Sequence, residues 1–127
     1  LPQSQTFNRV ASGDGKIQWV NAEAAKTGGR VFWSGGEEAM NAAANYAKAN
    51  GMTTLEMTRA GQNLAKLTEG MPWSEARPLW ERLSSVYAKG AEGTVHFFPG
   101  ANVNPAGIWS TVEQPILQLN KVTIITH

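Results

Sequence analysis

Two segments dominated by β-branched and aromatic residues, Thr94-Val95-His96-Phe97-Phe98 and Val122-Thr123-Ile124-Ile125-Thr126, set the frame for the rest of the chain. Both read as strands, the first bounded by Gly93 and by Pro99-Gly100. Neither alternates apolar with polar residues as a half-solvated strand does, so both suit burial on two faces. A third apolar segment, Val31-Phe32-Trp33, ends at the turn-forming Ser34-Gly35-Gly36. Helical stretches lie ahead of the two strands. That order predicts a small sheet covered by helices.

The helical stretches carry their own boundaries. Asn21 to Lys26 is a short helical signal stopped by Gly28-Gly29. From Glu37 to Asn50 alanine dominates, Met40, Ala43, Ala44 and Ala47 recur at helical spacing, and Gly51 is a natural stop. The threonine-rich Thr53 to Thr58 is a poor helix interior, so Glu56 is expected in a connection before a helix over about 61 to 67. Ser74 to Arg77 can open a helix whose main segment runs from Leu79 to about Lys89, with Pro78 tolerated in its first turn. Leu79, Leu83, Val86 and Tyr87 form a buried face. Trp80 and Ser84 each follow that stripe by one residue, about 100° round the helix, and are free to line a pocket. Residues 1–18 are polar and aperiodic, with a turn at Ser12-Gly13-Asp14-Gly15, and read as a loosely ordered lead-in.

A length of 127 residues with 42% hydrophobic content predicts a single domain over 1–127. Its first residues, Leu1-Pro2-Gln3, lack an initiator methionine, which suggests the C-terminal part of a longer protein. With 11 basic and 10 acidic residues and no block of like charge, nothing calls for nucleic acid. No apolar run approaches the roughly 18 residues of a membrane span, so stable membrane insertion is not expected. The absence of cysteine removes disulfides, thiolate nucleophiles and Cys-ligated metals, leaving packing to hold the fold. His96 and His127 are the two histidines, and they lack the spacing of a metal-binding motif. No metal is expected.

Five tryptophans are more than core filling needs in a chain of this size. Trp33 stands out beside a turn, and Trp80 on a helix that already has a separate core stripe. Most glutamates read as solvated surface charge, but Glu56 and Glu113 lie in mainly apolar, threonine-containing contexts. A carboxylate there must find partners or face a cavity.

In order along the chain, these segments resemble the ADP-ribosyl cyclase family of NAD glycohydrolases, known from animal ecto-enzymes and bacterial polymorphic toxin domains. Val31-Phe32-Trp33-Ser34 is similar to the family's first Trp-Ser motif, and Thr54-Leu55-Glu56-Met57-Thr58 to its T-L-E-x-T element. Pro78 to Ser84 resembles the motif in which a tryptophan precedes a helical serine by four positions. Trp109-Ser110-Thr111-Val112-Glu113 resembles the segment that ends in the catalytic glutamate.

The resemblance implies an α/β fold in which a helical portion packs on a small, mainly parallel sheet, with the active site between them. It implies NAD or NADP as substrate, no cofactor, and Glu113 as the catalytic residue. Glu56 would hold the nicotinamide carboxamide, Trp33 and Trp80 would clamp the ring, and Ser84 would contact ribose or phosphate. Two features depart from the animal members: they are disulfide-rich, and they often carry arginine where this chain has Gly35. Arg30, Arg59, Lys89 and the backbone around Gly35 and Gly36 are therefore the candidates for phosphate contacts.

The resemblance further implies a monomeric antibacterial toxin domain of the contact-dependent growth inhibition type. Such a domain is delivered from a secreted or cell-surface bacterial protein into the cytoplasm of a target cell. A cognate immunity protein covering the active site would protect the producing cell. Two rival readings use other features: a ribonuclease toxin with His96 and His127 as acid and base, and a non-catalytic nucleotide- or sugar-binding module using the tryptophans as a stacking platform.

Overall fold

The computed structural model describes residues 17–127, with side chains described from residue 20 onward. The expected lead-in over 1–18 lies almost wholly outside the described residues. Its last two positions instead belong to the first helix, α1 (Ile17–Ala25), which starts earlier than Asn21. Strand β1 (Arg30–Ser34) follows, then α2 (Glu37–Ala49), which ends at Asn50 with Gly51 at a φ of 66°, as the glycine stop predicts. Two residues, Thr53–Thr54, form strand β2, and Leu55–Met57 a single 3-10 turn.

Helix α3 (Arg59–Thr68) begins at Thr58, whose hydroxyl accepts from the Gly61 N–H at 3.1 Å. Helix α4 runs continuously from Trp73 to Lys89. Pro78 is its sixth residue, so the helix starts before the segment in which that proline was expected to open the first turn. Strand β3 (Thr94–Pro99) leads through a loop to a π turn (Trp109–Glu113), helix α5 (Gln114–Leu119) and strand β4 (Thr123–Thr126). The sequence pattern identified neither β2 nor α5, because two and six residues are too few to display a period.

All strand pairs are parallel, in the order β2-β1-β3-β4, with Val31 beside Thr54 and His96, and His96 beside Ile125. Helix α2 covers one face through Ala43 and Ala47, which pack with Val31 and Phe98. Helices α1, α3, α4 and α5 cover the other, where Val20, Leu64, Leu79, Leu83 and Leu117 enclose Phe32, Val95 and Phe97. Leu79, Leu83 and Tyr87 are buried as the helical stripe predicts, and Val86 is partly buried at its edge.

Burial of both faces, expected of β3 and β4, holds only in part: β3 buries Val95 and Phe97 but leaves His96 and Phe98 half-buried on its other face, and β4 is largely exposed. Residues Thr123, Ile125 and Thr126 are exposed because β4 is the sheet's edge and α2 does not reach over it. No helix among the described residues is long and apolar enough to cross a membrane.

The chain leaves β1 to one side for β2 and returns to its other side for β3. The carboxyl ends of β1 and β3 therefore flank a topological switch point, where open parallel sheets form ligand crevices. Both strands end at a glycine there. The Gly100 N–H donates to the Ser34 carbonyl at 2.6 Å, and Gly35, at a φ of 99°, lies against Gly100 so closely that neither has room for a Cβ.

Candidate active site

A cavity of about 400 Å³ opens at this switch point, between the sheet and the helices α3 and α4. Trp33, Glu56, Trp80, Ser84 and Glu113, singled out in the sequence, all line it. They come from four separate pieces of chain, Trp80 and Ser84 sharing one, and each reaches the cavity for a local reason.

Trp33 is the penultimate residue of β1, held where that strand gives way to the Ser34-Gly35-Gly36 turn. Its indole Nε1–H donates to Glu56 Oε1 at 3.0 Å. Glu56 stands in the 3-10 turn that ends β2, so the pairing of β1 with β2 also brings these two side chains together. Trp80 and Ser84 share a face of α4 one turn apart, and Trp80 Nε1–H donates to Thr68 Oγ1 at 3.3 Å at the end of α3.

Glu113 ends the π turn, where the Gln114 N–H bonds the Trp109 carbonyl five residues back. Four residues apart, Trp109 and Glu113 share the inward side of this turn, and both are buried while Ser110, Thr111 and Val112 are not. The Trp109 ring is fixed by stacking on Phe97, with centroids 3.9 Å apart and planes at 9°.

The electrostatics are those of two carboxylates in a mostly apolar chamber. Burial pushes the Glu113 carboxyl well above the usual carboxylate range, and the negative charge of Glu56 pushes it further. Burial also raises Glu56, opposed by the hydrogen bond from Trp33, which favours its ionised form. No lysine or arginine among the described residues lines the cavity. The chamber therefore suits a flat, cationic, partly apolar group, which two carboxylates attract and indole faces can stack upon.

Besides Phe32, a buried residue of β1, three lining aromatics escaped the sequence reading as site residues. Trp73, at the start of α4, is 57% exposed at the cavity mouth. Trp109 was legible only as part of the glutamate motif. Tyr87 looked like plain core, yet it lines the cavity floor while its hydroxyl donates to the Thr53 carbonyl at 2.9 Å. The surplus of tryptophan was the one signal that could have found the first two: four of the five line the cavity, and the side chain of Trp19 lies outside the described residues.

The basic candidates for phosphate contact are corrected. Arg30 begins β1 at the end of the strand away from the cavity. Its Nη1 donates to Asn21 Oδ1 at 2.8 Å and to the Tyr87 carbonyl at 2.6 Å, near the C-terminus of α4. It serves there as a buried cation for an unpaired helix carbonyl. Arg59 and Lys89 do not line the cavity either. Of the four candidates only the backbone at Gly35 lines the cavity, with Gly36 beside it as the N-cap of α2.

His96 and His127 do come together, with Nδ1 and Nε2 2.8 Å apart, but on the α2 face of the sheet and outside the cavity lining. Hydrogen-bonded to each other, the rings leave no gap for a phosphodiester between an acid and a base.

No family model and no curated protein sequence matches the chain. Among solved structures it is similar to the Aplysia cyclase crystallised with its substrate NGD and product cGDPR, with a TM-score of 0.60 and 24% identity. The match covers 98% of this chain and 62% of the length of that one. The fold is thus α/β and ADP-ribosyl cyclase-like, with a small parallel sheet as expected.

Proposed function

We propose that this chain is an NAD glycohydrolase that breaks the bond between nicotinamide and ribose in NAD or NADP without a metal. The observation that carries this reading is the convergence of Glu56 and Glu113 with Trp33 and Trp80 in one cavity at the switch point of a cyclase-like fold. Nicotinamide is a cationic leaving group, so its departure needs no general acid. It needs stabilisation of the positive charge that grows on the ribose.

Trp33 and Trp80 clamp the nicotinamide ring, each contact contributing on the order of 1 to 2 kcal/mol when desolvated. Glu56, oriented by the Trp33 N–H, accepts from the carboxamide. Glu113 accepts from the ribose hydroxyls and, once ionised, stabilises the oxocarbenium-like centre. Ser84 donates to ribose or phosphate. As nicotinamide leaves with the electron pair of the broken bond, water adds to the anomeric carbon and loses a proton, giving ADP-ribose. Attack by the substrate's own adenine would instead close a ring.

In biological setting, the reading is of an antibacterial toxin domain carried into a recipient cytoplasm, where it drains NAD. A cognate immunity protein that plugs the cavity mouth around Trp73 would protect the producer. One assay tests the catalytic core: purified protein is incubated with NAD, NGD or tRNA, and nicotinamide, cGDPR and RNA length are followed. Nicotinamide release that disappears in Glu113→Gln supports the proposal, and cGDPR formation adds cyclisation. RNA shortening without nicotinamide release would replace it with a nuclease, and neither product would replace it with a binding module.

A further inference from the structure

The two indoles assigned to the nicotinamide ring have different anchors. Trp33 donates to Glu56, a residue of the site itself. Trp80 donates to Thr68, the last residue of α3, which does not line the cavity and has no part in the chemistry proposed above. The Thr68 hydroxyl has one hydrogen, and that hydrogen is committed: it donates to the Leu64 carbonyl at 2.8 Å, with the Ala65 carbonyl further off at 3.4 Å. The oxygen that remains can only accept, and the Trp80 Nε1–H occupies it at 3.3 Å. The bonds therefore run in one direction, from indole to hydroxyl to helix carbonyl. The Thr68 carbonyl also accepts from the Met71 N–H at 2.9 Å, closing the turn, with Gly70 at a φ of 77°, that leads into α4. One residue thus fixes both the approach to α4 and the indole that α4 carries into the cavity.

On the reading of Trp80 as a wall for the nicotinamide ring, we propose that Thr68 is a positioning residue for NAD cleavage, its hydroxyl holding the Trp80 indole in the plane against which that ring stacks. A half-buried indole can turn about its two side-chain bonds, and stacking with a flat cation is strong for only some of the resulting orientations. An indole released from Thr68 has to be ordered again whenever substrate binds, an entropic cost that a pre-set ring avoids. That cost falls on holding the ring and not on the charge that grows on the ribose, so it enters KM and leaves kcat nearly unchanged. Thr68 carries no charge, so this anchor holds whatever the ionisation of Glu56 and Glu113, whereas that of Trp33 weakens when Glu56 is protonated. Spacing along the sequence gave no sign of Thr68, because its partner lies on another helix.

Two substitutions separate the hydroxyl from the bulk of the side chain. Thr68→Val keeps the size and removes the hydroxyl, and Thr68→Ser keeps the hydroxyl and removes a methyl group. If Thr68 only packs, Ser is the worse replacement; if it positions Trp80, Val is. Nicotinamide release from NAD should show KM raised about threefold to tenfold in Thr68→Val, the equivalent of one lost hydrogen bond, with kcat within about twofold of the parent. Thr68→Ser should stay near the parent in both. The indole N–H resonances are followed in the same proteins without substrate, that of Trp80 being identified by its loss in Trp80→Phe. It should shift in Thr68→Val and keep its place in Thr68→Ser. An unmoved Trp80 resonance in Thr68→Val, or KM raised equally in both variants, would overturn the role. A parent protein that releases no nicotinamide would remove the NAD reading and this role with it, whereas an active parent with an unchanged KM in Thr68→Val would remove this role alone.

Discussion

Replacing Glu113 by Gln keeps the shape of the side chain and removes one charge, so it isolates what that charge does in a cavity with no cation lining it among the described residues. Two unit charges about 4 Å apart at an effective dielectric of about 20 attract by about 4 kcal/mol. The oxocarbenium-like centre bears only part of a unit charge, so about 3 kcal/mol is lost from the transition state, or about 10²-fold in kcat. That charge also attracts the cationic ring of the bound nucleotide, so KM should rise as well, by less than kcat falls.

The same substitution should stabilise the fold, with a definite pH dependence. Glu113 has its carboxyl raised by burial and by Glu56, so its contribution to stability is fully present below the unfolded value near 4.5. That contribution is lost as pH rises through the folded value. Gln loses nothing on that path. The midpoint of thermal unfolding of Glu113→Gln should therefore match the parent near pH 4 and exceed it at pH 8. Single-turnover nicotinamide release and calorimetry at both pH values test the two halves separately. Near-parental turnover would refute the charge role, and a lower midpoint at pH 8 would refute the picture of an uncompensated buried carboxylate.

Three further outcomes follow from the same geometry. Glu56→Gln removes the like charge that helps to raise Glu113, so the acid limb of the kcat/KM profile for NAD should move to lower pH; an unmoved limb would mean that the two carboxylates do not interact. Gly100→Ala drives a Cβ into the Gly35 carbonyl, where backbone cannot yield, and should cost about 1 to 3 kcal/mol in denaturant unfolding as well as activity. Arg77 of α4 bonds the Ala106 carbonyl and approaches Thr111 Oγ1 at 3.5 Å, so it ties the loop and the π turn to the helix. Arg77→Ala should lower kcat more than it raises KM and speed hydrogen exchange across 104–112, and Arg77→Lys should restore part of both.

Much of this was legible in the sequence. Helix α2 could be read from its alanine spacing and Gly51, and β3 and β4 from their β-branched and aromatic content. The placement of Trp80 and Ser84 on a cavity face followed from a stripe of Leu79 and Leu83 one residue behind them. These are consequences of local geometry, since 3.6 residues per turn decides which side chains share a face wherever the helix ends up.

Strand order, the exposed edge at β4 and the two-residue β2 were decided only in three dimensions, because pairing partners far apart in sequence leave no local period. Tertiary structure also redirected Arg30 to a helix carbonyl and joined His96 to His127. Glu56 and Glu113 differ from the surface glutamates for the same reason. A carboxylate's chemistry depends on how much water and which charges surround it, and those neighbours are supplied by the fold rather than by the adjoining residues.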